Sequence, residues 1–294
     1  MAFDGIFVSG IKSELEKNLL GGRVYKVTEP ERDEIILTIK NNSSTYKLSI
    51  SVNPSLSLCM LTDVNKKSPI NAPTFVMLLR KHIQNGKIVS ITQPNVDRVI
   101  DMEIEHMNEL GDMVSVHLCS EFMGKYSNII LCDNEYNILD SIKRVPSTVS
   151  SVREVLPGRK YFIPDGDKLS LDTLNKNELF ESIRDKKCIL QKAIYTSITG
   201  LSPVIANEIC NNAGLPADLP ATSMSSTEIE KLYNALMNLK SRIDNDEFTF
   251  AIYKDSYSNK PEFSAIPLTS GYYDSVEYES PSQLLSDFYN DKAL

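Results

Sequence analysis

No stretch of this sequence approaches the roughly 20 apolar residues that a membrane span requires. Its start, Met1-Ala2-Phe3-Asp4-Gly5, lacks the basic and apolar segments of a signal peptide. A cytoplasmic protein with no membrane attachment is therefore expected. Paired cysteines are missing as well: Cys59, Cys119, Cys132, Cys188 and Cys210 are scattered, with no CxxC spacing. An odd, scattered set points to reduced thiols that pack in cores rather than to a disulfide framework. The three histidines, His82, His106 and His117, have no Cys or His partner at ligand spacing, so neither a zinc site nor another cofactor is expected. A nucleophile set beside a base is also lacking, which argues against a free-standing enzyme.

Excess positive charge is absent too. The net charge of −8, taken over the whole chain, speaks against nucleic acid. The acidity is uneven, however. Residues 1–170 carry 20 Lys and Arg against 21 Asp and Glu, while residues 171–294 carry 11 against 18. The front part is thus nearly neutral, which permits a local basic surface without placing one. A hydrophobic content of 41% and a charged content of 24% are ordinary for a globular protein. The 294 residues leave room for two domains, each with its own core.

Periodicity organises what is present. Ile6, Phe7, Ile11, Leu15 and Leu19 recur at helical spacing over 5–19, with Asp4 as N-cap and Gly21-Gly22 as the stop. Strand patterns follow at 24–27, 35–39, 46–52 and 56–61, the second and third joined by Asn41-Asn42-Ser43-Ser44. A helix is predicted over 73–84, opened by Pro73 and closed by Gly86. Further strands are predicted at 87–93, 96–104, 113–120, 127–132 and 136–139. The stretch 146–164 is turn-rich and reads as a boundary region. From 177 to 242 the pattern turns helical, ending in an amphipathic helix over 229–243 that starts from Ser225-Ser226-Thr227-Glu228. Strands return at 248–253 and 263–268, and a last helix starts near Pro281. The expected class is α+β, with a β-rich domain over 1–172, a helical domain over 173–245 and returning strands over 246–294.

Three short motifs invite a functional reading. Gly200-Leu201-Ser202-Pro203, between two helices, resembles a helix-hairpin-helix turn, in which backbone N–H groups at a helix start reach a phosphate. Ser202 stands where such a turn usually has its second glycine. It caps the following helix in either reading, and an ordinary capped corner remains open. Asp97-Arg98 heads a predicted strand. Its arginine is able to reach a phosphate or base edge, oriented by the carboxylate, but the residues alone favour a surface ion pair. Glu121-Phe122-Met123-Gly124-Lys125 lies between two strands and reads by itself as a hairpin loop with polar contacts to offer.

Together with Phe3-Asp4-Gly5, Gly21-Gly22-Arg23 and the run LLRKHI at 78–83, these motifs closely resemble, in order, the N-terminal region of the NFACT family. Its members are known as RqcH in bacteria and NEMF in eukaryotes, and formerly as fibronectin-binding protein A. The resemblance implies a β-rich domain similar in fold to the front of formamidopyrimidine-DNA glycosylases, followed by an all-helical helix-hairpin-helix domain. It also implies a longer protein, with a coiled coil and a C-terminal domain beyond these residues. The implied function is ribosome-associated quality control. Members bind the large ribosomal subunit holding a stalled peptidyl-tRNA, recruit tRNA, mainly alanyl-tRNA in bacteria, and support template-independent tailing. The resemblance turns Asp97 and Arg98 into the favoured tRNA-recognition pair. It assigns Glu121, Phe122 and Met123 to a functional loop, and the residues themselves add Lys125 and Ser202 as candidate nucleic-acid contacts.

Two other classes compete. A DNA glycosylase of the related fold attacks with an N-terminal amine and needs Pro-Glu after Met1; this chain has Ala2 and Phe3, so at most a DNA-binding protein without that chemistry would remain. A fibronectin-binding surface adhesin would need export, for which the sequence offers no signal peptide or wall-sorting segment.

Overall fold

The computed structural model describes residues 3–164, 166–258 and 260–291. Met1 and Ala2, which figured in the expectations above, lie outside the described residues. The chain forms two units: residues 11–94 with 98–164, and residues 1–10 with 95–97 and 165–294. The α+β class is as expected.

The first unit is built on a nine-stranded antiparallel sheet. Helix α1 (Gly5–Leu19) enters it, with Ile11, Leu15 and Leu19 fully buried along one face. Gly21, at φ +81°, terminates the helix in the left-handed conformation that suits glycine. Four strands follow as a meander: β1 (Arg23–Thr28), β2 (Glu34–Asn41), β3 (Ser44–Asn53) and β4 (Leu56–Thr62). Helix α2 (Thr74–Ile83) buries Phe75, Val76, Leu79 and Ile83. A second meander then runs through β5 (Lys87–Thr92), β6 (Val99–Met107), β7 (Met113–Glu121), β8 (Asn128–Asp133) and β9 (Ile138–Ser141). The order β4-β3-β2-β1-β5-β6-β7-β8-β9 joins the meanders through β1 and β5. Lys143, after β9, donates to the Val52 carbonyl of β3, so the two meanders also meet far from that seam.

The second unit is mainly helical. The helical stretch comprises α3 (Lys176–Arg184), α4 (Leu190–Ser197), α5 (Pro203–Ala213) and α6 (Ser226–Asp244), with the expected pair of helices on either side of Gly200-Leu201-Ser202 and the expected last helix. Helix α6 opens with a capping box in which Ser225 and Glu228 satisfy each other's backbone N–H groups. A three-stranded sheet of order β11-β10-β12 follows, from β10 (Phe250–Asp255), β11 (Pro261–Ser264) and β12 (Tyr272–Tyr278), and then α7 (Pro281–Asp291). The expected strand at 263–268 stops at Ser264. The Ile266 N–H is spent on Ser264 Oγ at 3.1 Å, and Pro267 has no N–H to offer a ladder. Phe7, at the start of α1, packs edge-on against Phe263 with ring centroids 4.8 Å apart, and Phe263 meets Phe288 of α7 at 4.8 Å. Among the described residues no helix is long and apolar enough to cross a membrane.

Candidate functional site

In the helical unit, three of the sequence motifs converge on one stretch of backbone. Asn95 and Val96 both adopt φ +55°, which is why β6 starts at Val99 and not at residue 96 as expected. A β-branched residue in this region is strained and persists only when its surroundings impose it. Two glycines supply those surroundings. A Cβ on Gly5 would stand 1.9 Å from the Val96 carbonyl oxygen, and one on Gly200, itself at φ +84°, 2.0 Å from the same atom. Only glycine fits at either position, because the obstructing atom is backbone. The Gly5 N–H donates to the Gly200 carbonyl at 2.8 Å and ties the two together.

Beside this contact sits a buried polar pair. Asp4 caps α1, its Oδ1 accepting the Phe7 N–H at 2.9 Å. Its Oδ2 accepts the Ser202 hydroxyl at 2.6 Å, and Ser202 Oγ accepts the Ile205 N–H at 3.3 Å as the cap of α5. Both hydrogen-bonding functions of Ser202 are thus engaged inside the protein, and its exposure is 5%. Burial, opposed by these hydrogen bonds, pushes the Asp4 carboxyl up to about 6. Asp97 follows the strained turn and is buried.

In the sheet unit, Arg98 and the 121–126 loop meet at one end of the β6–β7 pair. The Phe122 N–H donates to the Arg98 carbonyl at 2.9 Å, continuing the ladder past the Val99–Glu121 pair. Arg98 is half-buried, not the exposed surface residue that the ion-pair reading assumed. Glu121 is fully buried. Arg153 donates through Nη2 to its Oε1, and the Tyr161 hydroxyl donates to its Oε2 at 2.8 Å. Burial and then the Glu121 charge push the Tyr161 phenol far above its ordinary range, so it stays a donor. Phe122 is fully buried and anchors the loop. The half-buried Met123 donates its N–H to Ser127 Oγ at 2.8 Å, and Gly124 turns the chain at φ +58°. What remains outside is Lys125 and Tyr126. Tyr126 is 70% exposed, and the Lys125 ammonium stands 5.0 Å from its ring centroid.

The expected site residues therefore fall into two kinds. Glu121, Phe122, Ser202 and Asp97 are buried, while Arg98, Met123 and Lys125 have surface to offer. Sequence reasoning missed Arg153 and Tyr161, which lie 32 and 40 residues from Glu121 inside the turn-rich stretch and follow no local spacing. Tyr126 was findable, as an aromatic next to a lysine in a turn. Among the described residues no group of three or more His, Cys, Asp or Glu is placed to hold a metal ion.

The helical unit holds a strained turn fixed by two glycines, and the sheet unit an arginine joined to a lysine-bearing loop. The family model for NFACT N-terminal and middle domains matches residues 4–294, and the chain belongs to that family. It is 33% identical over its whole length to the Rqc2 homolog RqcH of Bacillus subtilis, covering 50% of that protein. The chain thus spans about half the length of the curated relatives it matches. Among solved structures it is similar to the fibrinogen binding protein from Staphylococcus aureus, with a TM-score of 0.82 and 28% identity over 99% of this chain and 100% of that one. MutM (Fpg) protein from Thermus thermophilus is matched distantly, with a TM-score of 0.40 and 13% identity over 82% of this chain and 75% of that one. The chain is homologous to the ribosome quality-control factors of the RqcH type.

Proposed function

We propose that this chain is the front part of a cytoplasmic ribosome quality-control factor and binds tRNA at the corner where Arg98 meets the 121–126 loop. The observation that carries this reading is that convergence, made by the Phe122 N–H to Arg98 carbonyl bond of 2.9 Å. Arg98 and Lys125 supply cationic contacts for phosphate or base edges, and Tyr126 offers a face on which an unstacked base can lie. Glu121 and Phe122 hold the loop, and Met123 sets its turn. Asp97 precedes Arg98 in the chain and Ser202 caps α5, and on this reading both are further candidate contacts.

On this reading the tRNA is alanyl-tRNA and the wider partner is the large ribosomal subunit carrying a stalled peptidyl-tRNA. The factor supports template-independent alanine tailing. Peptide-bond formation belongs to the ribosome, so the chain is a recruiting factor and not an enzyme. The division into segments 1–172, 173–245 and 246–294 remains part of the proposal. The similarity to a protein named for fibrinogen binding supports a second reading, adhesion to fibronectin or fibrinogen.

Filter binding decides between them, with tRNA and with immobilised fibronectin, on wild type, Arg98→Ala and Lys125→Ala. The tRNA reading expects binding that falls with salt and weakens in both variants. Fibronectin binding unaltered in the variants, with no tRNA retained at low salt, would replace it.

A further inference from the structure

The opposite end of the β6–β7 hairpin carries a second surface. Met107 and Met113 form its last cross-strand pair and are 66% and 61% exposed. The connecting loop displays Leu110 at 87% exposure. That display is rigid. The Asn108 side chain accepts the Leu110 N–H at 3.0 Å and the Asp112 N–H at 2.9 Å, and Gly111 turns at φ +83°.

Next to these side chains lies a cleft of about 590 Å³, a size that suits a small ligand or an inserted side chain. Its wall includes His82 and His106, whose rings meet edge-on with centroids 5.8 Å apart. Burial holds both imidazoles below their ordinary value, so they are neutral. His106 is 8% exposed, and its Nδ1 has no hydrogen-bond partner. The cleft also counts Glu109, Asp133 and Glu135 against Lys81. Lys81 is already engaged, 3.7 Å from Glu109. Lys160 approaches from outside by donating to the Glu135 carbonyl. The rim is net acidic, which repels a phosphate backbone and favours a cationic partner.

We propose that this cleft docks a basic polypeptide segment, which inserts one apolar side chain between Leu110, Met107 and the His82–His106 wall. Acidic charge at the rim selects lysine and arginine on either side of the inserted residue, and the apolar tip supplies the contact area.

The chain contains three histidines, which makes the test local. His117 is bonded to Asp101 through Nδ1 at 2.8 Å, serves no part of the cleft and is an internal control. The probe is a short synthetic peptide with one leucine between lysines, added while the histidine ring-carbon signals are followed by NMR. The signals of His106 and His82 are expected to move while that of His117 stays. Leu110→Ser combined with Met107→Ser, both surface changes, is expected to weaken the peptide about tenfold, a loss of ~1.4 kcal/mol. Equal binding of a peptide with serine in place of the leucine would overturn the proposal, since charge alone would then suffice. So would a still His106 signal, an unchanged affinity in the double variant, or the same histidine shifts produced by tRNA.

Discussion

The two ends of the β6–β7 hairpin are held together by opposite means. At the Arg98 end, charge is buried and apolar groups are hidden: Glu121 is sealed between Arg153 and Tyr161, and Phe122 is fully covered. At the Met107–Met113 end, apolar groups are displayed and the order comes from neutral backbone-capping bonds to Asn108. The same strand pair thus presents cations on a rigid, ion-paired corner and hydrophobic groups on a short capped loop. A buried ion pair adds little net stability but penalises any arrangement in which one partner is missing. It therefore acts here as a positioning device for the loop that bears Lys125 and Tyr126.

The largest test of this contrast is Glu121→Ala. It leaves the Arg153 guanidinium, 11% exposed, without its counter-charge. The expected loss is about 3–5 kcal/mol of unfolding free energy, read from urea denaturation. Tyr161→Phe, which removes only one hydrogen bond, should cost about 1 kcal/mol. Equal costs for the two would mean that the ion pair is not what holds the corner.

Asp4 sharpens the comparison, because it is a second buried carboxylate but its closest bonds come from neutral groups, Ser202 and the Phe7 N–H. Its folded value of about 6 lies above the ordinary 3.8. Between these values the folded chain keeps a proton that the unfolded chain has lost. Its contribution is therefore fully favourable below about pH 4 and disappears as pH rises through 6. The difference amounts to roughly 3 kcal/mol at most, at ~1.4 kcal/mol per unit. Asp4→Asn preserves a cap and should raise the thermal midpoint at pH 7 but not at pH 4. A variant whose stability tracks wild type at both values would refute the linkage.

Arg98→Ala comes next, with an expected loss of about 1–3 kcal/mol in tRNA binding if a base edge is read. A phosphate contact would instead lower the salt slope by about one unit. Arg98 is half-buried, so Arg98→Lys, which retains the aliphatic stem and the charge, is the control for folding. It should rescue a phosphate contact better than a base contact.

The smallest effect is expected at the far end. Leu110→Ser should change stability by no more than about 0.5 kcal/mol, because the side chain is outside any core. Thermal unfolding checks this, and a loss comparable to that of Tyr161→Phe would show that the tip is packed after all.

Much of the scaffold was legible. The burial of Ile11, Leu15 and Leu19 follows helical spacing, and the capping box at Ser225 and Glu228 lies within one turn of chain. Strands β1 to β4 fall where alternation placed them, with turn residues between. Other features were hidden for specific reasons. The β6 start was misplaced because Val96 has high strand propensity, and nothing local announces its left-handed turn. That conformation is imposed by Gly5 and Gly200, which are remote in sequence. The strand at 272–278 was not singled out, because its ladder depends on pairing with β10. Of the candidate site, Lys125 was identifiable as a turn residue and Ser202 as the cap of α5, but the burial of Asp97 and the bond from Ser202 to Asp4 were not.

The sequence by itself determined the element pattern, the helix caps and, through its ordered motifs, the family to which the chain belongs. These signals act over a few residues or are read as a string, so no fold is needed to see them. Only the tertiary structure decided which polar groups of those motifs are spent inside and which are left for a partner. Ser202 is taken up by Asp4, 198 residues away, and Glu121 by Arg153 and Tyr161. A buried hydrogen-bonding group must find its partner wherever the fold brings one, and that pairing leaves no trace in local spacing.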